Sequence, residues 1–178
     1  MKKLVIVTVA LLMILGLAGG ASAASGLNSG SMAINVGMGN SVYGDIGVTR
    51  ITGKYFMDRD IALLAGFGFQ TSSGDYDSKF FSFQGGVRKY LKTDDLSTFA
   101  EGRITYEKEK INAPGFLPVD VDVIDFSVAF GAEYFFGKQF SLEGSVGVGF
   151  GTQDDNSTNE DITYFGTRTV GVSANFYF

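Results

Sequence analysis

The sequence contains no cysteine and no histidine, and two prolines among its 178 residues. Without cysteine there is no disulfide scaffold and no thiol nucleophile, and a lipoprotein anchor has no attachment point. Without histidine, the usual base near neutral pH for activating a serine or a water is missing. Zinc sites built on His or Cys go with it. Carboxylate-only chemistry stays open. After the first two dozen residues, no apolar run reaches the roughly 18–20 residues of a membrane-spanning helix, so any later crossing must use strands. A basic surface is lacking too. The formal charge is −5, and −7 once Lys2 and Lys3 leave with the N-terminal leader, which argues against nucleic acid as a partner.

The leader is read from three adjoining features. Lys2 and Lys3 precede an apolar stretch from Leu4 to Leu17, and Ala21-Ser22-Ala23 supplies a small-x-small cleavage pattern. Residues 1–23 are therefore expected to be a signal peptide cut after Ala23, leaving 24–178 as one domain. A retained helix is the alternative. The shortness of the run and Gly16, Gly19 and Gly20 at its end weigh against it.

The remainder divides into eight segments in which apolar and small or polar residues alternate with the period of a strand. The last is typical: Val170, Val172, Ala174, Phe176 and Phe178 share one face, and Thr169, Gly171, Ser173, Asn175 and Tyr177 the other. The same two-faced pattern covers about 31–39, 61–70, 81–88, 96–107, 124–134 and 140–150. The segment 46–56 needs a one-residue slip, placed near Thr49 and Arg50, to keep Ile46, Val48, Ile51 and Tyr55 on one side. The connections alternate in length. Short polar turns at 58–60, 92–95 and 137–139 are interleaved with longer stretches at about 40–45, 71–78, 108–122 and 152–161. Short turns at one end and long loops at the other describe an all-β, eight-stranded, antiparallel up-and-down transmembrane β-barrel. Both termini lie on its short-turn side, and the last strand closes against the first.

The minor face decides which way the barrel is turned. A water-facing exterior would carry many charges, but this face is mostly Gly, Ala, Ser, Thr and Asn, which suits a crowded eight-stranded interior. Its charges, Lys54, Arg88, Glu101, Arg103, Glu133 and Glu143, are three of each sign. They are expected to neutralise one another as a plug in the lower lumen, with an ion or proton relay as the functional alternative. On the apolar face, aromatics gather near both strand ends. Tyr55, Tyr134, Phe136, Phe140, Phe176 and Phe178 lie towards the short turns, and Phe69, Phe81, Tyr106, Phe126, Phe150 and Tyr164 towards the loops. This is the placement of interfacial girdles, although β-propensity alone accounts for part of it.

These features, with the terminal Asn175-Phe176-Tyr177-Phe178, resemble the small outer-membrane β-barrel proteins of the opacity-protein, OmpX and OmpA transmembrane-domain type. The resemblance is architectural and covers the whole mature chain. It implies a Gram-negative outer membrane as location, with membrane lipid and lipopolysaccharide as surroundings. It also implies that Phe176 and Phe178 serve as the signal read by the barrel-assembly machinery, although Ser173 stands where the family pattern favours glycine. A monomer is expected, with no cofactor.

Function is expected to be non-enzymatic: an integral surface protein for envelope integrity, adhesion or other surface interaction. A narrow, porin-like conduit for small or hydrophobic molecules is the alternative, and a soluble ligand-binding barrel a third. In the longest expected loop, Phe116 and Leu117 are candidates for a partner contact; packing over the barrel mouth is the plainer reading. Asp120, Asp122, Asp154, Asp155, Glu160 and Asp161 have the donors for a hard cation, but acidic loop runs are usually just solvated and their spacing fits no EF-hand.

Overall fold

The computed structural model describes residues 27–40, 46–74, 77–112, 114–115, 118–158 and 160–178. The expected signal peptide and the contact candidates Phe116 and Leu117 lie outside the described residues. Eight strands follow in order: β1 (Met32–Asn40), β2 (Ile46–Asp58), β3 (Ile61–Ser72), β4 (Asp77–Lys92), β5 (Leu96–Asn112), β6 (Val119–Phe135), β7 (Phe140–Asp155) and β8 (Glu160–Tyr177). Each pairs antiparallel with its neighbours in sequence, and β8 closes on β1 with Ala33 opposite Tyr177 and Gly39 opposite Gly171. Closure removes the sheet edges along the shared height of the barrel.

The alternation read from the sequence sets the two faces. Large apolar residues point outward on every strand: Ile34, Ile51, Phe67, Phe83, Ile104, Phe126, Val146 and Val172 are all exposed. Inward positions are small where neighbours crowd. A Cβ on Gly131 would lie 2.3 Å from the ring Cζ of Phe99, so glycine here is what lets that ring lie flat against the wall.

In three places the structure differs from the sequence reading. The slip in β2 falls at Gly47: Val48 pairs with Gly39 and Ile46 with Asn40, while pairing through Thr49 and Arg50 is regular. A second irregularity lies in β8, where Thr167 and Thr169 oppose Val148 and Gly147, leaving Arg168 as the extra residue. It shifts the alternation by one, so Phe165 takes the outer face and Tyr164, expected in the girdle, turns inward to donate to Asp125 Oδ2 at 3.2 Å. Third, the expected long loop at 108–122 is mostly strand, as β5 and β6 stay paired out to Ile111 and Val119. Its charges suggested a solvated loop, but Lys108 faces Asp122 and Lys110 faces Asp120, and opposite charges directly across a ladder stabilise it. The hairpin turns at Pro114-Gly115, where Gly115 supplies a φ of +82°. The 71–78 and 152–161 connections are also shorter than expected: β3 and β4 pair to Ser72 and Ser78, and β7 and β8 to Asp155 and Glu160.

Candidate functional site: the charged lumen

Inward positions of seven strands converge on one buried cluster. Lys54 comes from β2, Arg88 from β4, Glu101 and Arg103 from β5, Glu133 from β6 and Glu143 from β7. Arg88 is its hub. Its Nε and Nη2 donate to Glu101 Oε2 at 2.9 and 2.7 Å, and its Nη1 and Nη2 donate to the two oxygens of Glu143 at 2.6 and 3.0 Å. Its Nη1 also reaches Glu133 Oε2 at 3.4 Å. Lys54 bridges the same two carboxylates, 2.6 Å from Glu143 and 3.3 Å from Glu133. Arg103 Nη2 lies 2.5 Å from the second oxygen of Glu101. All six charges singled out in the sequence thus meet in one network.

Neutral groups complete it. Glu133 accepts from Tyr90 at 2.7 Å and from the hydroxyls of Tyr177 and Ser141. Asn35 Nδ2 and Asn175 Nδ2 donate to Glu143 at 3.1 and 3.2 Å, and Ser173 donates to it at 3.0 Å, bringing in β1 and β8. These residues carry no charge, so charge balance alone did not pick them out. Their inward parity was the available signal. Above the hub, Arg50 pairs with Glu107 in a further, partly buried ion pair.

Below the network the lumen is aromatic. Phe56 stacks on Tyr90 at 5.8 Å between centroids and leans on Tyr177 at 6.0 Å; Phe135 packs on Tyr177 at 5.3 Å. Leu27 is buried among them. The Arg88 guanidinium sits 3.6 Å above the Phe99 ring, so the hub is held from beneath by a cation–π contact. Charged layer and aromatic floor together fill the lower cross-section.

Outside, the apolar face is bounded. On β5 it runs from Leu96 to Tyr106, and on β6 from Ile124 to Tyr134. Ten steps of roughly 3.3 Å at a tilt near 42° span about 24 Å, close to the ~25 Å band of membrane barrels. Near the short turns, Tyr134, Phe136, Phe140 and Phe176 form a chain of ring contacts at 4.9, 5.7 and 5.3 Å. Phe178 is exposed beside them. Above the band, Lys108 lies 2.8 Å from Asp122 and Lys110 lies 2.6 Å from Asp120. The Lys110 ammonium holds the Asp120 carboxyl below the usual carboxylate range. For Asp122, partial burial pushes upward, but hydrogen bonds from Lys108, Tyr106 and Asn156 prevail and its pKa is lowered.

A serine hydroxyl does meet a carboxylate inside the barrel. Ser141 meets Glu133, but both are fully enclosed. Among the described residues, no group of three or more acidic side chains is arranged to hold a metal ion, the loop aspartates included.

No protein-family model matches the chain, and no curated protein does at the sequence level. Solved structures do match. The N-terminal β-barrel domain of Pseudomonas aeruginosa OprF superposes with a TM-score of 0.56 at 13% identity, over 84% of this chain and 98% of that one. Neisserial surface protein A gives 0.51 at 14% identity, over 83% and 93%. A de novo designed transmembrane β-barrel gives 0.51 at 14% identity, over 85% and 98%. The class this defines is the small eight-stranded barrel of outer-membrane proteins. At such identities the likeness is one of fold, and a designed member of the set shows that the fold specifies no function by itself.

Proposed function

We propose that this chain is an integral outer-membrane barrel of a Gram-negative cell, without enzymatic activity, that works through its loop end. One observation carries the reading. An uninterrupted apolar band circles all eight strands, while the charges that would keep a soluble barrel in solution are turned inward and neutralised. Soluble monomers rarely expose apolar side chains on every strand of a sheet in this way. In this reading residues 1–23 direct export, lipid and lipopolysaccharide surround the band, and Phe176 and Phe178 on the outer face of β8 meet the barrel-assembly machinery. The network serves as a stabilising plug, and envelope integrity or surface interaction is the role.

Two measurements test this. Purified in detergent, the protein should migrate differently on a gel before and after heating, as a folded barrel does; a mature chain that stays soluble and monomeric without detergent would sink the membrane reading. In planar bilayers the plugged lumen should pass no steady current. Discrete single-channel steps that vanish when Glu101 or Arg103 is neutralised would favour the conduit instead.

A further inference from the structure

Above the hub, one inward row crosses five strands: Gly86 on β4, Arg103 on β5, Ser127 on β6, Gly149 on β7 and Gly166 on β8, each directly opposite the next. Its single charge is Arg103. Lys54 and Arg88 are 1% exposed and each reaches more than one carboxylate. The Arg103 side chain is 19% exposed and reaches only Glu101, through Nη2. Its Nε is buried without an acceptor. A guanidinium has five N–H donors, so most of these are left unserved by protein. Two neighbouring hydroxyls are in the same condition. Ser127 faces Arg103 across the β5–β6 ladder, and Thr105 follows it on the same face of β5. Both are buried, and neither hydroxyl has a partner among the described residues, although buried polar groups normally find one.

Across from these donors the wall is bare. At Gly37, Gly66, Gly86, Gly131, Gly147 and Gly151 a Cβ would come within 3 Å of a neighbour, so those gaps are already filled. At Gly166 nothing lies within 4 Å. The extra residue at Arg168 turns Gly166 inward, and the Tyr164 ring that could have covered it lies over Gly151 instead, bonded to Asp125. Arg103 leans the other way, with its Cγ 3.1 Å from the Cβ position of Gly86. Between the guanidinium and Gly166 this row supplies only Ser127 and bare glycine.

We infer that this space above the hub is a binding site for a small monocarboxylate. Its oxygens take the unserved N–H groups of Arg103 and the hydroxyls of Ser127 and Thr105, and its remaining atoms lie against Gly149 and Gly166. A planar carboxylate matches the guanidinium fork. Glu101 on Arg103 and Asp125 opposite Thr105 repel a second negative charge, while Arg50 and Glu107 above answer each other, so a dianion is disfavoured. The inference rests on the plugged-barrel reading, since the hub closes the site from below and leaves the loop end as the way in.

The test titrates the mature barrel in nanodiscs with sodium acetate, followed by amide chemical shifts, against chloride and sulfate at equal ionic strength. Acetate alone should give saturable shifts at Ser127, Gly149 and Gly166. Arg103→Gln should weaken binding at least about tenfold, because a charged donor is lost. That variant also disturbs the hub, so Gly166→Leu supplies a second arm: the position is open and its φ ordinary, and the fold is kept while the space is filled. Acetate binding should then disappear with the melting temperature unchanged. Undiminished binding in Gly166→Leu, equal shifts with chloride or sulfate, or no saturable shift at all would overturn the site. If the same samples stay heat-modifiable and silent in planar bilayers while no acetate binds, the site fails and the plugged barrel stands. A steady current without acetate would instead remove the plug on which the site rests.

Discussion

Arg88 and Lys108 each bridge more than one carboxylate, one at the centre of the lumen and the other on the outer face above the apolar band. Their surroundings set them apart. The Arg88 side chain is 1% exposed and that of Lys108 is 34%. In the lumen the charges have already lost water, so each partner must be replaced by another protein group or remain unsatisfied. At the rim water substitutes readily, and the ion pair mainly keeps the hairpin in register. Ion pairs in one barrel wall can therefore be indispensable or nearly free to remove, according to what remains when a partner goes.

The comparison is most strongly tested at Glu143, which accepts from Arg88, Lys54, Asn35, Asn175 and Ser173. Its replacement by alanine leaves Arg88 on Glu101 and Lys54 on Glu133 but one buried positive charge uncompensated in the network, and Glu143→Ala should lower unfolding stability by about 3–5 kcal/mol in urea titrations of the detergent-held protein. A loss below about 1 kcal/mol would mean the lumen is wetter than its enclosure indicates. Gly131→Ala comes next. Its new Cβ meets the Phe99 ring on which Arg88 rests, so overpacking of roughly 1–3 kcal/mol is expected in the same titration. At the rim, Asp122→Ala should cost no more than about 1 kcal/mol, with the change confined to faster amide exchange around 106–111 and 119–124.

The smallest effect is a pH dependence. The Asp120 carboxyl is lowered by Lys110 in the folded hairpin and sits in the ordinary range once the hairpin opens. A depressed carboxylate contributes fully above its unfolded pKa, and the contribution disappears as pH falls through the folded value. Amide protection at 108–112 and 118–122 should hold through the neutral range and decline only in acid, below the usual carboxylate titration. In Lys110→Gln protection should be lower at neutral pH and should fall less on acidification, because the Asp120 carboxyl is then less depressed. An unchanged profile in that variant would show that the pair does not hold the hairpin.

The eight strands, their order, the closing pair and the outward face were all legible in the sequence, because an apolar wall around a crowded lumen enforces alternation along most of each strand. Lys54, Arg88, Glu101, Arg103, Glu133 and Glu143 were legible for the same reason, as charges on the face of small residues. Asn35, Asn175, Tyr90 and Tyr177 were harder to see, since neutral side chains join a network only by being within reach of it. Tyr164 was misplaced because one extra residue at Arg168 inverts parity with no mark in composition. The β5–β6 hairpin looked like a loop because its charges read as solvation. They are cross-strand partners, and that relation exists only once a register does.

The unequal length of the strands has one further consequence. A barrel with a level rim would look alike from every direction in the plane of the membrane. Among the described residues β1 and β2 have 9 and 13 and β8 has 18, so the molecule has a heading. Neighbours in a crowded bilayer meet a tall flank or a low one according to azimuth, and rotation about the membrane normal becomes a variable that decides which encounters succeed.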